Sequence, residues 1–473
     1  MAEVVVVGAG PTGLLVAGDL AARGVAVSVL EARPGPSELA RAFVLHARTL
    51  EVLDARGMAD ALVERGARTG ELRLPGRSTI VLDDLASRFP YMLLLPQAET
   101  ERALAERASA CGADIRYGAP VSTVRAEGDV VETAIEGGPT VRSQYVVGAD
   151  GVGSVVRRSV GASFPGRTVI DSVMLADVRL SGEAPHSPVM NAVEEGFAFL
   201  SPLGDGWHRV VAWRRGERRS DDEPVDMEEV RTLTRAALGT DYGMHASRWT
   251  SRFHSAERQV PRYRHGAVFL AGDAAHVHSP VLGQGLNTGI QDAANLGWKL
   301  AAAVRGRAAP GVLDSYHDER HPVGRQVLRS SGAVLRMALV RSPVLRGLRD
   351  LSTTAMRLAP IRRSANAMIS GIGVRYPRPP HAHRSVGARA ADCRLRPGPG
   401  RPTRLYEALR TGRFVLVTDG AVPPGLPDDV EVAAPAGASP VPAVLVRPDG
   451  YLAWAGAAAD PGATRALATW IRS

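Results

Sequence analysis

The chain has 473 residues, and its 57 lysines and arginines against 49 acids give a net charge of +8. That length allows about two to four domains with cores of their own. The cations are scattered rather than gathered into the stripe or tail of a nucleic-acid binder, so no nucleic-acid partner is expected, and the positive balance suits anionic cofactors. Two cysteines, Cys111 and Cys393, exclude a disulfide scaffold and a cysteine-based zinc site, so no metal is expected. No secretion signal opens the sequence and no apolar run is long enough to cross a bilayer, which predicts a cytoplasmic protein without a membrane partner.

Residues 4–7 are four consecutive valines, the composition of a strand buried on both faces, and Gly8-Ala9-Gly10-Pro11-Thr12-Gly13 follows at once. A helical pattern through Leu14, Leu15, Ala17 and Ala21 breaks at Gly24, and a second strand, Val25 to Leu30, ends at Glu31. This is a βαβ unit. A glycine loop between strand and helix, with an acid 18 residues past its third glycine, is a dinucleotide signature. Gly8 allows the tight turn, Gly10 lets a pyrophosphate near the backbone, and Gly13 lets the helix pack on the strand. Pro11 and Thr12 open a helix whose N-terminus suits phosphate, and Glu31 can accept hydrogen bonds from a ribose. At this point the dinucleotide is either NAD or FAD.

Two later segments decide it. The strand Tyr145-Val146-Val147 runs into Gly148-Ala149-Asp150-Gly151, and the strand Ala267 to Leu270 runs into Ala271-Gly272-Asp273. Pro280-Val281-Leu282-Gly283-Gln284-Gly285-Leu286-Asn287 then opens a helix with the apolar stripe Leu286, Ile290, Ala293, Leu296 and Leu300. The glycine loop, the Asp-Gly segment and the Gly-Asp segment together resemble the three fingerprints of class A flavoprotein monooxygenases, the hydroxybenzoate-hydroxylase-like family, in the same order over residues 3 to 330. The stretch 272–300 and the tail Leu445-Val446-Arg447-Pro448-Asp449-Gly450 are similar to bacterial hydroxylases of aromatic polyketides and to rifampicin-type antibiotic monooxygenases.

The resemblance implies FAD as cofactor, with NADPH or NADH as co-substrate. Asp273 would take hydrogen bonds from the ribityl hydroxyls, or else cap the following turn. Pro280, Gly283, Gln284, Gly285, Leu286 and Asn287 would bring backbone N–H groups to the isoalloxazine, and the helix they open would direct its positive end at the N1/O2 edge. Arg41 and Gln97 match flavin-contacting residues of the family, with solvated helix or loop residues as the alternative. Val124, after the strand Ala119 to Thr123, would contact adenine through its backbone. Asp150 lies in a segment serving FAD pyrophosphate and the nicotinamide cofactor, with Ser154 and Arg157 on the next turn. Arg158 adds charge for a 2′-phosphate, or is an ordinary surface arginine. His276 and His278 read as loop-ordering hydrogen-bonders in preference to an acid/base pair. No residue is assigned as catalytic base.

The implied fold is α/β: a Rossmann-like FAD/NAD(P)-binding domain from residues 1–75, 96–165 and 256–330, with an antiparallel-sheet substrate domain from 76–95 and 166–255 inserted in it. Segments Ser172 to Leu180, Phe197 to Leu200 and Trp207 to Trp213 read as its strands. Phe197, Phe199, Trp207 and Trp213 are core residues or line the ring site. Residues 331–380 read as a helical segment and linker: 331–375 helical, with Leu335, Leu339, Leu345, Leu348 and Met356 on one face, then a linker from Tyr376 to Arg384. Residues 381–473 resemble the thioredoxin-like domain of the polyketide hydroxylases, without a C-x-x-C, which leaves a packing role or a homodimer contact. The implied chemistry is hydroxylation of an aromatic, polyketide-type substrate with O2 through a flavin C4a-hydroperoxide. Antibiotic inactivation, Baeyer–Villiger oxygenation and a non-catalytic flavin-binding accessory role stand as alternatives. A flavin halogenase is disfavoured, because Trp-x-Trp-x-Ile-Pro is absent.

Overall fold

β1 (Val4–Val7) carries four β-branched residues, each at most 4% exposed, and so apolar a strand is stable only with both faces covered. The computed structural model describes residues 2–37, 42–74, 78–340, 347, 358–423, 425–427, 430–437, 441–458 and 460–472. β2 (Val27–Leu30), β3 (Tyr145–Gly148) and β4 (Val268–Leu270) join β1 in the order β4-β3-β1-β2, all parallel. Their carboxyl ends therefore share one edge of the sheet. Strand Asp114–Arg116 extends the parallel set beyond β2, and Arg264–His265 pairs antiparallel with β4.

α1 (Pro11–Ala21) follows the glycine loop, with Pro11 in the first turn, where its missing N–H costs nothing. It is buried between α3 (Gln284–Val304) and the helix Gln97–Ala110. Small residues ease these crossings: a Cβ on Gly18 would lie 2.6 Å from Arg107 Nη1, and one on Gly297 would lie 3.0 Å from Asp19 Cβ. α2 (Ala47–Asp54) packs against α3, and α4 (Ser315–Ala338) runs along its other side.

An eight-stranded sheet stands beside this core. Its strands run in the order 276–277, 244–259, 166–180, 207–214, 196–204, 189–192, 71–74, 78–81. Strands 71–74 and 78–81 thus belong to it, whereas Met92–Leu94 pairs elsewhere, with Val44–Leu45 and Ala67–Thr69. Alternation sends Met174, Ala176, Val178, Leu200, Val210 and Ala212 against the helix Met227–Leu238. The opposite face splits the four aromatic candidates. Phe197 and Trp213 pack with Leu335 of α4 as core, Phe199 lies 6.0 Å from Phe43, and Trp207 sits beneath Arg179 and Arg248.

The expected helical run 331–375 is divided. α4 begins sixteen residues earlier, at Ser315, and stops at Ala338, and a separate helix spans Ala359–Ile369. Leu345, Leu348 and Met356 lie outside the described residues. The linker expectation also needs correction at its first residue: Tyr376 is buried and stacks on Tyr451, ring centroids 4.0 Å apart. The C-terminal sheet has the order 431–433, 415–418, 443–446, 452–456, with the first pair parallel and the rest antiparallel. One of its faces packs Leu416 and Leu445 against Trp298 of α3. No described helix is long and apolar enough to cross a membrane.

Candidate functional site

Parallel strands end in turns whose backbone groups point off the sheet edge, which makes that edge the usual binding crevice of such a fold. Glu31 follows β2, Gly8 follows β1, Asp150 follows β3 and Asp273 follows β4. The turns are stitched sideways: Gly8 N donates to Leu30 O, Ala149 N to Val7 O and Ala271 N to Gly148 O, all within 2.9 Å.

The glycines allow contacts that no side chain could share. Gly8 has φ +102°, and a Cβ there would lie 2.5 Å from Ala149 O. A Cβ on Gly13 would lie 2.0 Å from Gly8 O. Gly10 is the opposite case, since a Cβ there would meet nothing within 4 Å. The loop is closed against the protein at Gly8 and Gly13 and open at Gly10, the shape a pyrophosphate needs. Thr12 brings the other segments in, because its Oγ1 would lie 2.7 Å from a Cβ on Gly272 and 2.3 Å from one on Gly289. The three sequence fingerprints therefore converge on one crevice.

Glu31 accepts hydrogen bonds from Ala9 N at 2.6 Å, Arg33 N at 2.9 Å and Arg33 Nε at 3.0 Å. Burial pushes this carboxyl up, but the bonds from Arg33 and Ala9 outweigh it and leave the group below its ordinary range. Arg33 also reaches Ala9 O and Glu101. Its role was invisible in the sequence, where only its position two residues past Glu31 could have signalled it.

Leu282 and Gly283 both have positive φ, +72° and +62°, so the chain turns sharply into α3. A Cβ on Gly283 would lie 3.1 Å from Val44 Cβ, so glycine spares the turn both that crowding and the left-handed penalty, whereas Leu282 carries strain of a kind that persists where surroundings over-determine it. Asn287 supplies part of that determination. Its Nδ2 donates to Val44 O and Gly283 O, and its Oδ1 accepts from His46 N, at 2.7 to 2.8 Å. His46, not foreseen from the sequence, places Nε2 2.7 Å from Leu282 O. Burial brings both His46 and His278 down to about 4, so both rings are neutral at physiological pH. Gln284 is buried, with its Oε1 lacking any partner among the described residues, while Pro280 and Asp273 are exposed and Gly285 and Leu286 are half-buried.

His276 places Nε2 2.7 Å from Asp292 Oδ2, and the same oxygen accepts from Gly272 N at 3.2 Å. Arg320 completes the cluster by donating from Nε to Asp292 Oδ1 at 2.7 Å. These contacts order the loop, as expected for His276. The signal for Asp292 was a charge on a helix otherwise buried. Among the described residues no group of three or more His, Cys, Asp or Glu could hold a metal.

Other candidates have partners within the protein. Asp150 accepts from Ser154 Oγ at 2.5 Å and Val156 N at 3.1 Å, so its carboxylate caps the short helix Val155–Ser159. Val124 lies within the strand Val121–Glu127 rather than after one, and its N–H donates to Ser159 Oγ at 3.1 Å. Gln97 donates to Glu101 Oε1 at 2.6 Å and accepts from Ala42 N at 3.1 Å, which fixes the chain beside residues 38–41. Arg41 itself lies outside the described residues. Arg157 donates to Ala274 O and Val152 O, tying the Asp-Gly segment to the Gly-Asp segment, and Arg158 reaches Gly153 O at the surface.

Comparison with known proteins agrees with this crevice. Residues 1–331 match the FAD binding domain family, and residues 383–473 match the C-terminal domain of aromatic-ring hydroxylases. Rifampicin monooxygenase of Streptomyces venezuelae is 40% identical over 465 residues, 96% of each chain. The solved anhydrotetracycline hydroxylase of Streptomyces rimosus superposes with a TM-score of 0.87 at 36% identity, covering 99% of this chain and 98% of that one. An aromatic hydroxylase from angucycline biosynthesis gives 0.88 at 37% identity over 99% of both chains. The open face at Gly10, the closed glycine contacts and the helix N-termini of α1 and α3 fit FAD.

Proposed function

The chain belongs to the FAD-dependent aromatic monooxygenases, and from that premise we propose that it hydroxylates a polycyclic, polyketide-type aromatic substrate, using NADPH or NADH and dioxygen. The observation that carries this reading is the convergence of three chain segments, 120 residues and more apart, on one crevice with an aromatic-bearing sheet beside it. Relatives named for rifampicin, tetracycline and angucycline chemistry support the substrate class.

Gly8, Gly10, Pro11, Thr12 and Gly13 would hold the pyrophosphate at the start of α1, Glu31 would hold the adenosine ribose, and Asp273 the ribityl chain. Bound FAD supplies the redox chemistry, taking hydride from the nicotinamide and activating dioxygen. The protein's task is position and electrostatics. The first turn of α3, Gln284 to Asn287, has backbone N–H groups unpaired within the helix, and a 21-residue helix behind it. Directed at the ring, that positive end favours negative charge on reduced flavin. Neutral His46 holds the loop through Leu282 O, and neither it nor the neutral His278 beside Gly285 adds charge. Phe43 and Phe199 would flank the aromatic substrate.

Residues 1–75, 96–165 and 256–330 would form the FAD unit, except that strands 71–74, 276–277 and the end of 244–259 belong to the large sheet, the proposed substrate unit, which is antiparallel save where 189–192 pairs parallel with 71–74. The thioredoxin-like reading of the C-terminal part is supported by its strand order, second-first-third-fourth with only the first two parallel. With no second glycine loop for the nicotinamide, hydride transfer should be gated by substrate.

Stopped-flow reduction of the purified yellow protein by NADPH, with and without a polycyclic phenol, tests the gating, and a several-fold acceleration is expected. The product should gain one oxygen from labelled dioxygen. Label arriving from water would refute the monooxygenase reading.

A further inference from the structure

The tail motif Arg447-Pro448-Asp449-Gly450 resembles its counterpart in the polyketide hydroxylases, and its hydrogen bonds run to α2, α3 and α4 and not to the glycine loop. The structure places it in a socket formed by α2, α3 and α4. Arg447 donates from Nη1 to Glu319 Oε1 at 2.5 Å and from Nη2 to Glu319 Oε2 at 2.9 Å, and also pairs with Asp449. Glu319 Oε2 accepts in addition from Lys299 Nζ at 2.7 Å and Asn295 Nδ2 at 2.6 Å. Asp449 Oδ2 accepts from Asn295 Nδ2 at 3.2 Å. Every member is buried, and Lys299 is the only lysine in the chain.

This network reaches the flavin loop by two routes. On α4, Glu319 is followed by Arg320, and on α3, Asn295 and Lys299 share a side with Asp292. The seam between α3 and α4 therefore holds two neighbouring ion clusters. One contains Arg447 and Asp449, and the other contains Arg320 and Asp292, which accepts from Gly272 N beside Asp273. Along the second route, Asp449 O accepts from Arg48 Nη2 at 2.5 Å, and Arg48 is further held by Glu51 and Tyr406. Arg48 lies on α2, two residues after His46, whose N–H and ring bind Asn287 and Leu282. The same turn thus bears on both ends of the loop.

We propose that this C-terminal turn is a positioning element for FAD, with Arg447 and Asp449 setting the register of α2, α3 and α4 on which the loop's geometry depends. The proposal rests on the FAD reading above. Without Arg447, Glu319 keeps two donors but loses the bidentate cation, and a buried carboxylate short of compensation recruits water or moves its helix.

The test uses full-length Arg447→Met, Asp449→Asn and the charge-balanced pair Arg447→Met/Asp449→Asn, stripped of flavin and titrated with FAD, alongside circular dichroism and thermal unfolding. Arg447→Met should weaken FAD binding about tenfold or more, Asp449→Asn about three- to tenfold, and the balanced pair should recover to within about threefold of wild type, because the Lys299–Glu319 pair stays matched. A purely structural clamp would lower the melting temperature of the variants and leave FAD affinity untouched, and that outcome overturns the proposal. If Arg447→Met does not fold, wild-type FAD affinity in folded Asp449→Asn overturns it as well. Wild-type protein that binds no FAD would instead refute the FAD reading.

Discussion

The flavin crevice and the socket of the C-terminal turn both bring distant segments within hydrogen-bonding distance, but by opposite chemistry. The crevice does it by omission. Gly8 and Gly13 carry no side chain, so backbone meets backbone, and the one open face is left at Gly10. The socket does it with charge: Arg48, Lys299, Arg320 and Arg447 are all buried, each against a carboxylate. Omission tolerates no added atom, whereas charge tolerates atoms but no imbalance. The two regions should therefore fail under different insults.

The largest effect is expected where an atom enters the crevice. Gly13→Ala places a methyl 2.0 Å from Gly8 O, a backbone atom that cannot swing aside, so either the loop or α1 must move. FAD affinity should fall on the order of a hundredfold, roughly 3 kcal/mol, with the fold intact by circular dichroism. The same addition in the socket should do less. A Cβ on Gly450 meets Arg48 Nη2 at 3.0 Å, the end of a side chain able to shift, and the cost is mostly the left-handed backbone at φ +79°. Gly450→Ala should lower stability by about 1–2 kcal/mol in denaturant titration. Equal losses of FAD affinity from the two substitutions would break the distinction.

Acid should separate the regions next. His46 and His278 titrate at about 4 in the folded protein against 6.5 when exposed, so the unfolded chain binds protons that the native loop refuses. The stability each contributes is complete above pH 6.5 and is lost as pH falls towards 4, about 3 kcal/mol per ring by order of magnitude. Burial pushes Glu319 up, but the Arg447 and Lys299 charges prevail and bring it down to about 2, so its contribution survives until pH drops below its ordinary 4.5. Flavin release, followed by FAD fluorescence, should precede loss of the socket, followed by the near-ultraviolet signal of Trp298 and Trp470, which lie over Arg447. Simultaneous transitions would show that the two regions form one unit.

The contrast also explains what the sequence could tell. Glycine spacing is local, so the βαβ unit could be read from the sequence, whereas of the eight strands of the large sheet three were anticipated and only Trp207–Arg214 within a residue of its true length, against 166–180 for an expected 172–180 and 196–204 for an expected 197–200. Charge pairing is not local. Arg447 and Glu319 are 128 residues apart, and no periodicity links them. Asp292 and His46 escaped for the same reason, since each acts through a partner on another element. Asp150 shows the same limit: its carboxylate, proposed for the cofactor, also caps the next helix, a contact the strand-end position alone does not signal. The single lysine, on the buried side of an apolar helix, was the one overlooked clue to the socket.

The smallest effect is expected at Leu282, where the crevice departs from its own rule by keeping a side chain at positive φ. Leu282→Gly removes a left-handed penalty of about 1–2 kcal/mol and gives back about 0.5–1 kcal/mol in the backbone entropy of the unfolded chain. It also deletes a side chain partly buried against the core. These terms oppose one another, so the melting temperature should shift by only a few degrees either way. The loop's bonds run through backbone and through neighbours: Leu282 O receives His46, and Gly283 O receives Asn287. Equilibrium FAD affinity should therefore change less than about threefold, while exchange of bound FAD should quicken as the loop gains alternative conformations. A loss of affinity as large as that of Gly13→Ala would show that the crevice depends on the strain itself and not on the space left by its glycines.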